Sequence, residues 1–473
     1  MTHRYDIEGL KTRIEGIKTE ENPALVRQKS RDFYWYSPTL KRQLENVTGD
    51  ILVSPANEGE VLRVLAAAYE LGIPVTPRGT GTGNYGQAMP LSGGIILDMS
   101  GMDKVKEIGL GRLVAEPGAM LAKIDRQTRP HSGQELRLFP STYATASLGG
   151  FIAGGSGGVG SIRWGGLRDA GNILSLKVAT MEATPRILTL TGDDLHKVAH
   201  AYGTNGIITE VSVPLAPAYT WVDLIVGFNT LAEAAAYANA LGEQDGLLLK
   251  ELAVIAAPVP HDVFLRHQKF LPRDKHIAVI MVAEHALDAT LAFTRRFSGA
   301  EVLFRQDAMS PEELRGLPPA FELAWNHTTL RALRVDPSIT YLQTLYPFPN
   351  QLELVEKVHA HFGDEVIAHL EFVRFDGKIT CFGLPLVRFT SEERLEEIIR
   401  IHEDMGVPVF NPHRYTLEEG GMKQTDAVQL AFKREADPRG LLNPGKMIAW
   451  ENPDYDYASG RTYLFPGLAD RAA

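Results

Sequence analysis

Apolar residues switch between two periods along the first hundred positions. Ile51-Leu-Val-Ser reads as a short strand, after which Val61, Leu62, Leu65 and Ala68 recur at helical spacing on one face. Asn57 followed three residues on by Glu60 has the form of a capping box, and Gly72 is the expected stop. Ile73-Pro-Val-Thr returns as a strand and Gly94-Ile-Ile-Leu-Asp-Met supplies a third. The pattern predicts a β-α-β unit with an insert between its second and third strands. Leu113-Val-Ala-Glu-Pro-Gly118 predicts another strand and turn. Pro214 and Pro217 then mark a change of pattern, to an Ala-rich helix over Thr230 to Leu241, a β-like run Ile277-Ala-Val-Ile-Met-Val-Ala, and strands at His369 to Phe372 and Ile379 to Phe382. No internal repeat and no low-complexity segment interrupts this alternation.

The insert, Pro74-Val-Thr-Pro-Arg-Gly-Thr-Gly-Thr-Gly-Asn-Tyr-Gly86, predicts a phosphate cradle. Glycines at 79, 81, 83 and 86 let the backbone approach a ligand, and successive N–H groups in such turns converge on an anion. Thr80, Thr82 and Asn84 add donors. Gly81-Thr-Gly83-Asn-Tyr-Gly86 also satisfies the G-x-G-x-x-G spacing of Rossmann sites, but those glycines open a helix. Here Gln87-Ala-Met-Pro90-Leu-Ser-Gly-Gly94 follows, and it cannot continue as one. A second glycine-rich stretch runs from Leu138-Phe-Pro-Ser-Thr-Tyr-Ala-Thr-Ala-Ser-Leu-Gly-Gly150 through Phe151-Ile-Ala-Gly-Gly-Ser-Gly-Gly-Val-Gly-Ser-Ile-Arg-Trp-Gly-Gly166. A linker would not intersperse Phe151, Ile152, Val159, Ile162 and Trp164 among its glycines. These glycines are expected to mark close approach to something flat or charged.

Taken together these segments resemble the flavin-binding domain of the vanillyl-alcohol oxidase and p-cresol methylhydroxylase superfamily. Its Arg-Gly-Gly-Gly-type loop is similar to Arg78 to Gly81, and Pro140-Ser141, Ala146 to Gly150, Ala153 to Gly155 and Ser161-Ile-Arg-Trp164-Gly165 follow its later elements in order. Tyr202-Gly-Thr-Asn-Gly-Ile-Ile-Thr-Glu resembles the family's adenine-side strand, and Ala436-Asp-Pro-Arg-Gly-Leu-Leu-Asn-Pro-Gly-Lys446 its terminal motif. The resemblance implies an α+β, two-domain flavoprotein: a discontinuous FAD-binding domain of two α/β subdomains, residues 1–218 and 426–473, around an α/β cap or substrate domain, residues 219–425. It implies FAD contacts from Pro77, Arg78, Gly79, Thr80, Gly81, Thr82, Gly83, Asn84, Tyr85 and Gln87 of the first loop. From the second region it implies Pro140, Ser141, Thr142, Ala146, Ser147, Gly149, Gly150, Gly154, Gly155, Ser156, Ser161, Ile162 and Trp164. Gly206, Ile207, Ile208 and Asn443 complete the expected set.

Two departures from the family pattern shape the expected chemistry. The histidine of the metal-dependent 2-hydroxy acid dehydrogenases falls at Glu419 in Thr416-Leu-Glu-Glu-Gly-Gly-Met-Lys423, so no catalytic metal is expected, although the pair His369 and Glu371 keeps one open. No histidine lies between Pro74 and Gly94 or between Pro140 and Gly166, and the lone Cys381 is elsewhere, so noncovalent FAD is implied. The expected function is oxidation of a small alcohol or hydroxy acid by hydride transfer to the flavin. The alternatives are an alkylglycerone-phosphate-synthase-like flavin transferase and a flavin-binding electron-transfer subunit. Proton abstraction is expected from His413 or Tyr415, with Arg414 anchoring a carboxylate or polar group; the clusters around His327 and His369 are the other candidates.

Composition narrows the setting. At 473 residues, 44% hydrophobic and 22% charged, the chain has material for more than one core. A net charge of −10, from 48 basic and 58 acidic residues, with no basic block, argues against nucleic acid as partner. No run reaches membrane-spanning length, the N-terminal residues lack the apolar core of a secretory signal, and a single cysteine gives no disulfide framework. A cytoplasmic protein, with a homodimer as one arrangement, is expected. Oxygen, quinone, cytochrome and another flavoprotein all remain open as electron acceptor.

Overall fold

The computed structural model describes residues 4–421, 425 and 427–456. The expected β-α-β unit forms at its N-terminal end. The helix Glu58–Leu71 starts where Asn57 Oδ1 accepts the Glu60 N–H at 3.0 Å, and ends at Gly72, which takes the left-handed conformation. Strands Ile51–Ser54 and Val75–Arg78 do not pair with each other. Both run parallel to Ile95–Asp98, which lies between them, and Lys18–Glu20 adds an antiparallel edge. Since the glycine insert joins Val75–Arg78 to the central strand Ile95–Asp98, it emerges at the C-terminal end of a parallel strand. Crevices at such ends hold ligands in open α/β sheets.

A second, antiparallel sheet places Arg112–Ala115, Ile207–Pro217, Ser175–Ala179 and Ile187–Thr191 side by side, with Val105–Gly109 at one edge and Gln134–Leu136 on the far end of Ile207–Pro217. Across from it stands a seven-stranded antiparallel sheet, in the order Glu301–Arg305, Trp221–Phe228, His276–Ala283, Leu249–Ile255, His369–Phe375, Lys378–Gly383 and Thr344–Tyr346. Strands such as Ile277 to Val282 are buried on both faces, which explains their unbroken apolar runs. One continuous core joins this sheet to the second one, while a separate core fills the first sheet.

The chain then returns. Val75 N–H donates to Leu441 O at 2.8 Å and Asn443 N–H to Val75 O at 2.9 Å, so residues 441–443 extend the first sheet beside the root of the glycine insert. Lys433, buried in the helix Ala427–Ala436, fastens this return: its Nζ donates to Thr204 O at 2.7 Å and to Asp437 Oδ2 at 2.6 Å. The expected terminal segment 426–473 falls partly outside the described residues, at 426 and 457–473.

Candidate functional site

The two glycine-rich segments meet around one cavity of about 450 Å³, within the ordinary range for small-molecule sites. Residues 77–84 line one side, 140–142 and 144–147 the next, and 149–151 with 153–158 the floor. Gly203 and Gly206 to Ile208 close the far end. Opposite stand Asp32, Phe33 and Tyr36 of the N-terminal arm together with Glu322, Trp325, Asn326, His327, Leu330 and Gln343.

Local structure explains the close approach. Leu148–Gly154 is a short helix whose apolar Leu148, Phe151 and Ile152 are buried, in spite of glycines that disfavour a helix. Tertiary contacts override that preference: Leu148 N–H donates to Ala119 O at 2.9 Å and Gly149 N–H to Pro117 O at 2.8 Å. A Cβ on Gly149 would come within 2.9 Å of Pro117 Cα, so this helix packs where only glycine fits. Gly81 takes φ +70 in the first loop, and a side chain there would strike the Arg78 guanidinium.

Polar groups left without partners show what the cradle suits. Ser147 Oγ is buried and unpartnered against Gly79, and Arg78 Nε is buried without an acceptor while its other nitrogens reach Arg31 O and Thr80 O. Leaving buried donors unmade costs free energy unless a ligand takes them. Two donors beside a loop of convergent amides suit an anionic, phosphate-bearing ligand, and the residues present therefore fit FAD. Beside the loop, burial raises the Asp32 carboxyl to about 6 and lowers Lys446 to about 7, the charge of each partly offsetting the shift of the other. Lys446 Nζ donates to Gly86 O at 2.7 Å and holds the loop exit.

Four expected cofactor contacts stand behind the wall instead of on it. Ser161 Oγ accepts the Gly158 N–H at 3.0 Å, Ile162 is in the core, and Trp164 lies under the Arg137 guanidinium at 4.3 Å. Asn443 Nδ2 donates to Gln87 O at 2.9 Å and to Tyr202 O at 2.7 Å, bracing the loop from below. Each supports a segment that does line the cavity.

The expected catalytic cluster stands away from the cavity. His413 is 1% exposed and does not reach the cavity. Its Nε2 lies 2.9 Å from Tyr341 O, which only accepts, so that nitrogen carries the proton and Nδ1 accepts the Ser37 hydroxyl at 2.7 Å. Both ring nitrogens are spent on joining Ser37 of the N-terminal arm to the strand Ile339–Tyr341. Arg414 pairs with Glu396 at 2.8 Å and Tyr415 lies under Lys446 at 4.9 Å, so neither lines the cavity. His369 is fully buried behind the wall, with Nε2 2.7 Å from Glu371 Oε1. Glu419 is exposed and accepts the Thr416 hydroxyl at 3.0 Å; Met422 and Lys423 of that stretch lie outside the described residues. Among the described residues, no group of three His, Cys, Asp or Glu side chains is arranged to hold a metal ion.

Of the histidine candidates only His327 lines the cavity. It opens the helix Asn326–Val335, and burial together with the positive charges of Arg331 and Arg334 lowers its imidazole to about 4. It is therefore neutral at pH 7. The signal for it was present in Trp325-Asn-His, but nothing local distinguishes that helix face from a solvated one. His200, which lines the cavity at φ +54, had no sequence signal, and Tyr202, at φ +52, was legible only as the start of the segment leading to Ile207–Pro217.

The structural role of His413 carries a pH signature. Burial lowers its imidazole to about 4, below the roughly 6.5 of an unfolded chain. The unfolded state therefore binds the extra proton between those values, so this contribution is whole above pH 6.5 and fades as pH falls toward 4. His413→Gln is expected to lower the melting temperature at pH 7.5 yet flatten its decline between pH 6.5 and 4, as read by thermal unfolding across that range. Equal slopes in variant and wild type would contradict a neutral, buried His413.

Comparison with known proteins agrees with this site. Residues 49–190 match the FAD binding domain family. An uncharacterised FAD-linked oxidoreductase of Mycobacterium tuberculosis is 34% identical over 175 residues, which are 34% of this chain and 37% of that protein, so the match spans about a third of its length. The glycolate oxidase subunit GlcD of Bacillus subtilis is 24% identical over 85% of this chain and 89% of its own. Among solved structures, an alkyldihydroxyacetonephosphate synthase shares the fold with a TM-score of 0.68 at 17% identity, covering 90% of this chain and 82% of its own. With glycine loops, cavity and matches in agreement, residues 49–190 are an FAD-binding domain of the kind carried by the FAD-linked oxidases.

Proposed function

We propose that the protein is an FAD-dependent oxidoreductase that removes a hydride from the carbon of a small alcohol or hydroxy acid, with His327 accepting the hydroxyl proton. The observation that carries this reading is the composition of the cavity: flavin-type glycine segments on one side, and on the other a neutral imidazole among Trp325, Asn326, Leu330 and Gln343. Bound FAD supplies the electron acceptor that no side chain can provide. The chain's own part is to hold the substrate carbon, shed water and take the proton. Phe33, Tyr36 and Trp325 exclude water, and Asn326 and Gln343 offer amides to a substrate oxygen. Among the described residues, the cap side of the cavity presents no Lys or Arg, which favours the alcohol half of the reading. Relatives named as glycolate oxidase and D-lactate dehydrogenase favour the hydroxy acid half. The likeness to the synthase is one of fold and carries no activity.

Noncovalent attachment, the domain division at 218 and 425, a homodimer and a cytoplasmic location belong to the same proposal. No described helix is long and apolar enough to cross a membrane.

Purified protein is expected to be yellow and to release intact FAD on heating or acidification. Anaerobic mixing with a panel of hydroxy acids, sugar acids, alcohols and phenols should bleach the flavin with one class, and recolouring in air separates an oxidase from a dehydrogenase. His327→Ala should slow that bleaching by roughly 10²–10⁴ while keeping the flavin, the loss expected for a general base. A His327→Ala enzyme bleached at the wild-type rate would remove His327 from the chemistry.

A further inference from the structure

Behind the cap-side wall lies a group of ionisable side chains that the proposed reaction does not use. Period-two alternation and the pairing of Ala253 with Glu371 put Glu251, Glu371 and His369 on one face of two adjacent strands. All three are buried, at 3%, 0% and 0% exposure. Among the described residues, no cation offsets them. His369 Nε2 lies 2.7 Å from Glu371 Oε1, and the two carboxyl groups are within hydrogen-bonding reach of each other. A bond between two carboxyls needs a proton on one of them, and Glu371 Oε2 has no other partner. Burial raises both carboxyls well above the usual range and lowers the His369 imidazole to about 3.

Both carboxyls are turned toward one residue. Trp325 N–H donates to Glu371 Oε1 at 2.5 Å, and Trp325 Nε1–H donates to Glu251 Oε2 at 3.0 Å. Trp325 is held at φ +50, ψ −146, a conformation that a bulky side chain adopts only when its surroundings enforce it. Its ring lines the cavity and reaches toward Gly157 of the second glycine segment, while the residues after it open the helix that carries His327.

We propose that Glu251 and Glu371 share one proton and, braced by His369, clamp Trp325 as the substrate-facing wall of the cavity, so that Trp325 is a contact residue and the buried trio are positioning residues. The proposal rests on the functional reading only where it names that wall the substrate side. A shared proton lets two carboxyls sit together without a cation, and it leaves two oxygens free to accept the backbone and indole N–H groups of one tryptophan. An apolar patch in the same place would support a wall without fixing its orientation.

The indole N–H of Trp325 reports directly on the clamp. In ¹⁵N-labelled protein its resonance, assigned by its absence in Trp325→Phe, should be protected from hydrogen exchange and should move when FAD is added to the apoprotein. Glu251→Gln should keep the protection, since the amide both accepts from the indole and donates to Glu371. Glu251→Leu should lose it by roughly tenfold or more, while unrelated indoles stay protected. Should the leucine variant not fold, Glu371→Gln gives the same reading: unchanged protection supports the shared proton, and deprotection overturns it. Equal protection in wild type and Glu251→Leu, or equal loss in the Gln and Leu variants, overturns the clamp. FAD binding that leaves the Trp325 resonance unmoved overturns the wall. Protein that binds no FAD removes the functional reading, while the exchange measurements on apoprotein still decide the clamp.

Discussion

Gly149→Val is expected to yield protein that does not retain FAD. The Cβ alone would come within 2.9 Å of Pro117 Cα and 3.0 Å of Pro117 O, atoms of the backbone that cannot swing aside as a side-chain tip can. The helix Leu148–Gly154 would have to retreat from the turn at Pro117, and the floor of the cavity with it. Overpacking of this kind costs about 1–3 kcal/mol or more. Gly83 provides the contrast. Its φ is not in the left-handed region, and a Cβ would meet only the amide end of Gln87, a flexible group. Gly83→Ala should therefore keep most of its flavin. The ratio of flavin absorbance to protein in each purified variant checks both, and a flavin-replete Gly149→Val would show that the helix does not hold the cofactor site.

Lys433→Met is expected to be the most destabilising single change at the chain's return. It removes the ammonium that is 2% exposed and bonded to Asp437, and leaves that carboxylate buried without its cation. Breaking one side of a buried pair costs about 3–5 kcal/mol. The damage should spread to the cofactor, because Lys433 also holds Thr204 O and Leu442 O, next to the residues that brace the glycine loop. Denaturant unfolding followed by flavin release is the measurement. Lys433→Met combined with Asp437→Asn should recover part of the loss, since the amide oxygen still accepts from the Leu441 or Leu442 N–H without a buried charge. If the double variant is as unstable as the sum of the singles, the pair is not coupled.

His413, Arg414 and Tyr415 sit close together in sequence and carry the side chains a catalytic loop would need, yet each is committed to a structural partner. His327, with a weaker local signal, is the one that reaches the cavity.

By itself the sequence determined what depends on near neighbours. The cap at Asn57, the stop at Gly72, the strands on either side and the glycine insert follow from residues within a turn or two of one another, and the order of glycine segments carried the resemblance that implied a flavin site. Tertiary structure alone decided what depends on distant partners. Gly149 and Gly150 sit in a helix whose start is held where Ala119 O accepts the Leu148 N–H and Pro117 O accepts the Gly149 N–H, and no local propensity contains that information. Which histidine is free to meet a ligand is likewise set across the fold: His413 is occupied by Ser37 and Tyr341, both far from it in sequence, while His327 lines the cavity next to a tryptophan bonded to two buried carboxyls. Residue types show which groups are present, but the hydrogen bonds that occupy or release them are made between segments that meet only in the folded chain.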